Sequence, residues 1–407
     1  MRSFKLRPAA SLLMTLWLGL RRALGGPYVA AAPPRRILVL GYAAIGDLLF
    51  FMPALAGLRR NHPNAKIVFL ANAYPTTQEL VPATGLVDEV WLWQWEGPGA
   101  PADPAPILRR IREARFDVVV LTLPSPAHYF QSAIWDIPVR VGHCRRLAGS
   151  LLARLRRGLI TGEFARRALL DRQAWIGAAS EHAVTRNLRL LDVMGVPRPP
   201  DIRPRIPLSE GSRHFAQDAA ASLAPGRKLV AVHLGPPRNQ YSKIWPVERF
   251  AQLCARLHSG LGVEILLVGS AEEADNAAAV LKACPQVHSW VGKASLLETC
   301  GLIARCGLFV GNDTGLAKAA LVLGVPTVTI YGPTDPQELG ALWDPDQHLD
   351  LRRGLACSPC VRLGMAQSRD GVLDYTCCGH HACLQGMDVD TVYGAICAKY
   401  AGRFKPA

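Results

Sequence analysis

The chain has 407 residues, half of them hydrophobic and 19% charged, which excludes a disordered or fibrous protein and makes two domains the expectation. A net charge of +14 favours anionic partners. With no nucleic-acid module and no basic platform interleaved with aromatics, a lipid surface or phosphorylated substrates are expected and nucleic acid is not.

Residues 1–34 stand apart as an N-terminal extension. Arg2, Lys5 and Arg7 precede the apolar run 12–20, and Arg21 and Arg22 follow it. The run is too short to span a bilayer, and two arginines directly behind it oppose signal-peptide cleavage. Interfacial anchoring is expected, with Trp17 and the leucines in the interface and the basic flanks on anionic lipid; a docked or disordered tail is the plain alternative. Further basic runs follow at Arg109, Arg110, Arg112 and Arg115, at Arg145 and Arg146, at Arg154, Arg156 and Arg157, and at Arg166 and Arg167.

Residues 35–193 read as a first domain of alternating strands and helices. Strands are predicted at 37–40, 66–70, 89–93, 116–121 and 138–141, with a helix over 48–60. Such alternation implies a parallel, doubly wound sheet. Five prolines in 194–207 rule out a helix or central strand, so 194–208 is read as the linker. A second alternation occupies 209–387, with strands at 229–234, 263–268, 308–310 and 327–331 and helices at 246–258, 272–283, 295–305 and 315–323. A last helix and tail, 388–407, is expected to pack back across the domains. Two such halves place the ligand in a cleft at the carboxyl ends of their strands.

Three loops carry candidate chemistry. Residues 41–47, Gly-Tyr-Ala-Ala-Ile-Gly-Asp, match neither a Walker loop nor a dinucleotide fingerprint. They put Asp47 at a helix start, where a carboxylate either favours the helix dipole or serves as a base for a substrate hydroxyl. Lys243 precedes a helix that opens near Pro246, and is either solvated or set to neutralise a diphosphate. In 311–315, Gly-Asn-Asp-Thr-Gly, a strand turns into a helix whose unpaired amides suit an anionic group; ordinary capping is the competing reading.

These stretches, RILVLGYAAIGDLLFFMPAL, KIWPVERFAQL and GNDTGLAKAALVLGVPTVTIYGPTDP, resemble the bacterial heptosyltransferases of glycosyltransferase family nine. The resemblance implies an α/β, GT-B-like fold of two Rossmann-like domains facing across a cleft. It also implies inverting, metal-independent and cofactor-free transfer of heptose from ADP-heptose to the lipopolysaccharide inner core. By position, Asp47 is similar to the general base, Lys243, Thr314 and Gly315 to diphosphate-binding residues, and Asp313 to a donor-sugar contact. Glu272 or Glu273 matches the acidic position at the ribose. Lys318 stands where the family usually carries His, and as a point charge it can still meet a phosphate.

The expected partners are a nucleotide-sugar donor and an anionic, lipid-linked acceptor, at the cytoplasmic face of the inner membrane. A different sugar nucleotide, or a non-catalytic sugar-nucleotide or lipid-binding protein, is the alternative. The eleven cysteines are read as reduced thiols of a cytosolic protein, with Cys254, Cys284, Cys300 and Cys306 as small apolar residues at helical segments. Cys357, Cys360, Cys378 and Cys383 have the ligand type of a structural zinc site, though their untidy spacing favours loop-packing thiols.

Overall fold

The computed structural model describes residues 33–41, 44–94, 103–122, 132, 135, 137–145, 169–177, 180–223, 227–235, 243–360 and 381–404. The N-terminal apolar run, the arginines at 146–167, and Cys377, Cys378 and His380 lie outside them. The chain divides into two compact units between Ile202 and Arg203, inside the proline-rich stretch.

The first unit is built on strands β1 (Arg36–Leu40), β2 (Lys66–Ala71), β3 (Glu89–Leu92), β4 (Val118–Leu121), β5 (Val139–Arg145) and β6 (Arg172–Ile176). They form one sheet in the order β3-β2-β1-β4-β5-β6, with every pairing parallel. In β1, Ile37 to Leu40 are all buried, as continuous apolar runs are when helices cover both faces of a parallel sheet. Helix α1 (Ile45–Asn61) follows β1, and α2 (Ala105–Ala114) precedes β4. Helix α3 (Ala183–Met194) packs against α1 and β6 and ends at Gly195, whose φ of 71° is the left-handed cap that glycine adopts without strain.

The second unit repeats this topology. Strands β7 (Leu229–His233), β8 (Glu264–Leu267), β9 (His288–Ser289), β10 (Leu308–Asn312), β11 (Thr327–Ile330) and β12 (Leu349–Leu351) lie in the order β12-β11-β10-β7-β8-β9. Again every pairing is parallel. The connecting helices include α4 (Glu210–Leu223), α5 (Val247–Leu261), α6 (Ala274–Ala283), α7 (Leu296–Ala304) and α8 (Gly315–Val322).

The last helix, α9 (Val389–Phe404), joins the second unit's core. It lies against α5, its face of Val392, Ile396, Tyr400 and Phe404 is buried with that core, and the Tyr400 hydroxyl donates to the Gln347 carbonyl at 2.9 Å. In each unit the strand order reverses at the first strand, between β1 and β4 and between β7 and β10. The crevice at the carboxyl ends of such a pair is where doubly wound sheets hold ligands.

Candidate functional site

At the first switch point, β1 runs into Gly41 and α1 begins at Ile45, with Asp47 in its first turn. The N-cap residue Ala44 supplies no side-chain cap, so the Asp47 carboxylate provides the favourable charge at this helix end. Asp47 lines a pocket with Gly41, Phe51, Thr122, Arg186 and Asn187. Gly41 is fixed by packing, because a Cβ there would lie 2.0 Å from the Phe69 ring. On α3, Asn187 donates to the Phe50 carbonyl at 3.0 Å and binds the two helices together. Arg186 is buried beside it. Next to them His143 is fully buried, and burial, with the Arg186 charge adding and an Asn187 hydrogen bond opposing, pushes its imidazole down to about 3. The pocket thus presents a carboxylate near a guanidinium, fit to take a proton from a hydroxyl while holding an anionic neighbour.

The second switch point lies between β7 and β10. Strand β10 extends through Asn312, two residues beyond its predicted end, so Gly311 belongs to the strand rather than the turn. A side chain at Gly311 would meet the His233 carbonyl at 2.9 Å. Thr314 is the N-cap of α8 and accepts from the Ala317 amide at 3.4 Å, which leaves the amides of Gly315 and Leu316 at the helix start to face a ligand.

Behind this cap His233 bridges two side chains, with Nδ1 3.0 Å from Thr314 Oγ1 and Nε2 3.1 Å from Glu273 Oε1. In the neutral tautomer that satisfies both, Nε2–H donates a hydrogen bond to the carboxylate and Nδ1 accepts one from the Thr314 hydroxyl. Glu273 Oε2 also accepts from the Ser270 amide at 2.7 Å, in a capping box. Glu273 is therefore buried and engaged, whereas Glu272 is exposed. His233 and its bridge were not anticipated; the only signal was a histidine at the carboxyl end of an apolar strand.

Asp313 is buried between two lysines. Its Oδ1 pairs with Lys318, and its Oδ2 accepts from the Thr334 hydroxyl at 2.6 Å and faces Lys243 Nζ at 3.5 Å. Burial raises the Asp313 carboxyl, but the charges of Lys318 and Lys243 and the Thr334 hydrogen bond outweigh it and hold it at about 2. Lys318 is buried to the same degree as Asp313. Lys243 is tied in through Trp245, whose amide donates to Asn312 Oδ1 at 3.3 Å and whose indole donates to the Met387 carbonyl at 2.7 Å. Lys243, Asp313, Thr314, Gly315 and Lys318 thus share one corner of the second unit, and Asp47 lies in the first.

Cys254, Cys284, Cys300 and Cys306 are buried free thiols. Burial pushes Cys306 up to about 12 and Cys254 higher still. Cys357 and Cys360 are exposed and Cys383 is buried. Among the described residues no cluster of three metal-ligating side chains occurs, and Cys378 lies outside them. On α2, Arg109, Arg110 and Arg112 are exposed opposite the buried Ile107 and Ile111. Arg110 stacks over Trp91 at 3.9 Å. Among the described residues no helix is long and apolar enough to cross a membrane.

The profile of Glycosyltransferase family 9 (heptosyltransferase) matches residues 147–367. Lipopolysaccharide heptosyltransferase 2 of Escherichia coli K12 is 26% identical over 331 residues, which cover 74% of this chain and 84% of that protein. Among solved structures, E. coli ADP-heptose lps heptosyltransferase II superimposes with a TM-score of 0.64 at 21% identity, covering 90% of this chain and 99% of that one. E. coli heptosyltransferase WaaC, solved with ADP-2-deoxy-2-fluoro heptose, gives a TM-score of 0.56 at 20% identity, covering 89% and 98%.

Proposed function

Because this chain belongs to glycosyltransferase family 9, the heptosyltransferases, we propose that it moves heptose from ADP-heptose to the lipopolysaccharide inner core, with inversion and without a metal ion. The observation that carries the proposal is the corner at the end of β10. There an α-helix N-terminus capped by Thr314 lies beside Lys243 and the Asp313–Lys318 pair, a set of fixed donors and cations suited to a sugar-linked diphosphate. The ADP-sugar bound by WaaC supports the choice of donor.

In this mechanism Asp47 accepts the proton of the acceptor hydroxyl as its oxygen attacks the anomeric carbon from the face opposite the diphosphate. The bond from that carbon to the diphosphate oxygen breaks, and ADP leaves with its new charge met by the α8 amides and Lys243. One displacement inverts the centre. Of the two candidates for the ribose, exposed Glu272 is assigned to it, since Glu273 is committed to His233. The basic face of α2 supports contact with an anionic lipid-linked acceptor at the cytoplasmic surface of the inner membrane.

Thermal unfolding with ADP, UDP or GDP, each with and without chelator, tests the donor site, because a ligand of the native state raises the midpoint. ADP alone is expected to stabilise, unchanged by chelator. Asp47→Ala is expected to abolish transfer and keep the ADP response. A selective response to UDP or GDP would replace the donor, a chelator-sensitive one would remove metal independence, and transfer surviving in Asp47→Ala would require another base.

A further inference from the structure

The second unit's corner contains one carboxylate and two ammonium groups that are not equivalent. Lys318 is the deeper, its side chain 4% exposed against 13% for Lys243, and it is also the nearer to Asp313. Its Nζ donates to the Tyr331 hydroxyl at 3.0 Å, and that hydroxyl donates to the Leu339 carbonyl at 3.3 Å. With Thr334 on Oδ2, both Asp313 oxygens are held from the protein interior. An ammonium this deep is tolerated only when paired and hydrogen-bonded.

We propose that Lys318 is a positioning residue, the interior counter-ion that fixes Asp313 at the turn and leaves the surplus positive charge of the cluster with Lys243, for the donor diphosphate. The assignment rests on the donor reading of this corner. Within the triad, Asp313 with Lys243 alone is neutral and the buried Lys318 raises the sum to +1, before the neighbouring carboxylates Asp335 and Asp350 are counted. Lys318 therefore acts on the donor through Asp313 and Lys243 and does not touch the phosphates.

Titration separates this role from packing. Around the pair stand Lys243, Tyr331, Asp335 and Asp350. Burial first, then the charges of Asp313, Asp350 and Asp335, hold Tyr331 well above its ordinary value. Burial raises Asp350 to about 6, with Lys318 opposing and Asp313 adding. Without Lys318 the Asp313 carboxyl rises, so transfer is lost at a higher pH as the solution is acidified.

The experiment is the pH profile of kcat/KM for the ADP-sugar in the wild type, Lys318→Met and Lys318→His, with Asp350→Asn as the control for the other raised carboxyl. In Lys318→Met the Asp313 carboxyl is expected to rise from about 2 by about 1–3 pH units, adding to the acid limb a group that in the wild type titrates too low to set it. Lys318→His is expected to keep the wild-type acid limb while its imidazole is charged, and to lose transfer as pH rises through the imidazole pKa, an alkaline loss absent from the wild type. Since Lys318→Met leaves a buried carboxylate and can fail to fold, thermal midpoints of Lys318→Met, Asp313→Asn and the double variant are also measured. The double variant is expected to lose less than the sum of the single losses.

Additive losses would overturn the pairing. An unmoved acid limb with ADP affinity weakened equally at all pH values would make Lys318 a direct phosphate ligand and overturn its positioning role. A wild type that neither binds ADP nor transfers sugar would remove the donor reading and with it the donor part of the proposal, while the midpoints would still decide the pairing.

Discussion

His143 is a buried titratable residue of the first unit that the transfer mechanism does not use. It is fully buried beside Arg186 and Asn187, with its imidazole held at about 3, by burial first and by the Arg186 charge second. An unfolded chain takes up that proton near pH 6.5, the folded one only near 3. The stability tied to keeping His143 neutral is therefore complete above about pH 6.5 and drains away as pH falls toward 3, by several kcal/mol at most. His143→Gln is expected to flatten the fall of the unfolding midpoint between pH 6.5 and 4. Parallel curves for variant and wild type would show that other groups dominate acid unfolding. Histidine in a strand named no such role, because burial depends on what packs above it.

Among the elements, α8 has the shortest route from sequence to function. Eight residues long, it depends on its cap, and Thr314 supplies one bond to Ala317 and a second contact to His233. Thr314→Ala is expected to cost about 1 kcal/mol of stability and to shrink the stabilisation by ADP, whereas Thr314→Ser, which keeps the hydroxyl, stays near the wild type. Equal ADP-induced shifts in Thr314→Ala and the wild type would detach this cap from the donor site. The turn into α8 was legible because Asn-Asp-Thr-Gly after an apolar strand is a local signal. Strands β6 and β12 were not: Arg-Gln-Ala-Trp-Ile and Leu-Asp-Leu are sheet edges without a long apolar run. The boundary between Glu272 and Glu273 was equally hidden, since adjacent carboxylates on a short turn differ only in what faces them.

At the scale of the whole molecule, the charge of +14 predicts salt-dependent adsorption to anionic membranes. The full chain is expected to sediment with vesicles containing anionic lipid at low salt, to be released as salt rises, and to ignore neutral vesicles. Salt-insensitive binding to both kinds would point to apolar insertion instead, and no binding to either would remove the membrane contact. Replacing Arg109 and Arg112 by Gln is expected to weaken the low-salt binding without changing the unfolding midpoint, because both lie on the exposed face of α2.

The sequence by itself determined the two alternating α/β halves and the three loops where chemistry gathers, because apolar runs, glycine turns and helix caps are written within a few neighbouring residues. Only the tertiary structure decided which charged and polar groups meet. His233 reaches Glu273 across 40 residues and Thr314 across 81, Asn187 reaches Phe50 across 137, and Lys318 turns inward to Asp313. Such partnerships depend on the order in which parallel strands assemble and on the burial that follows, and neither is encoded in the spacing of any one segment.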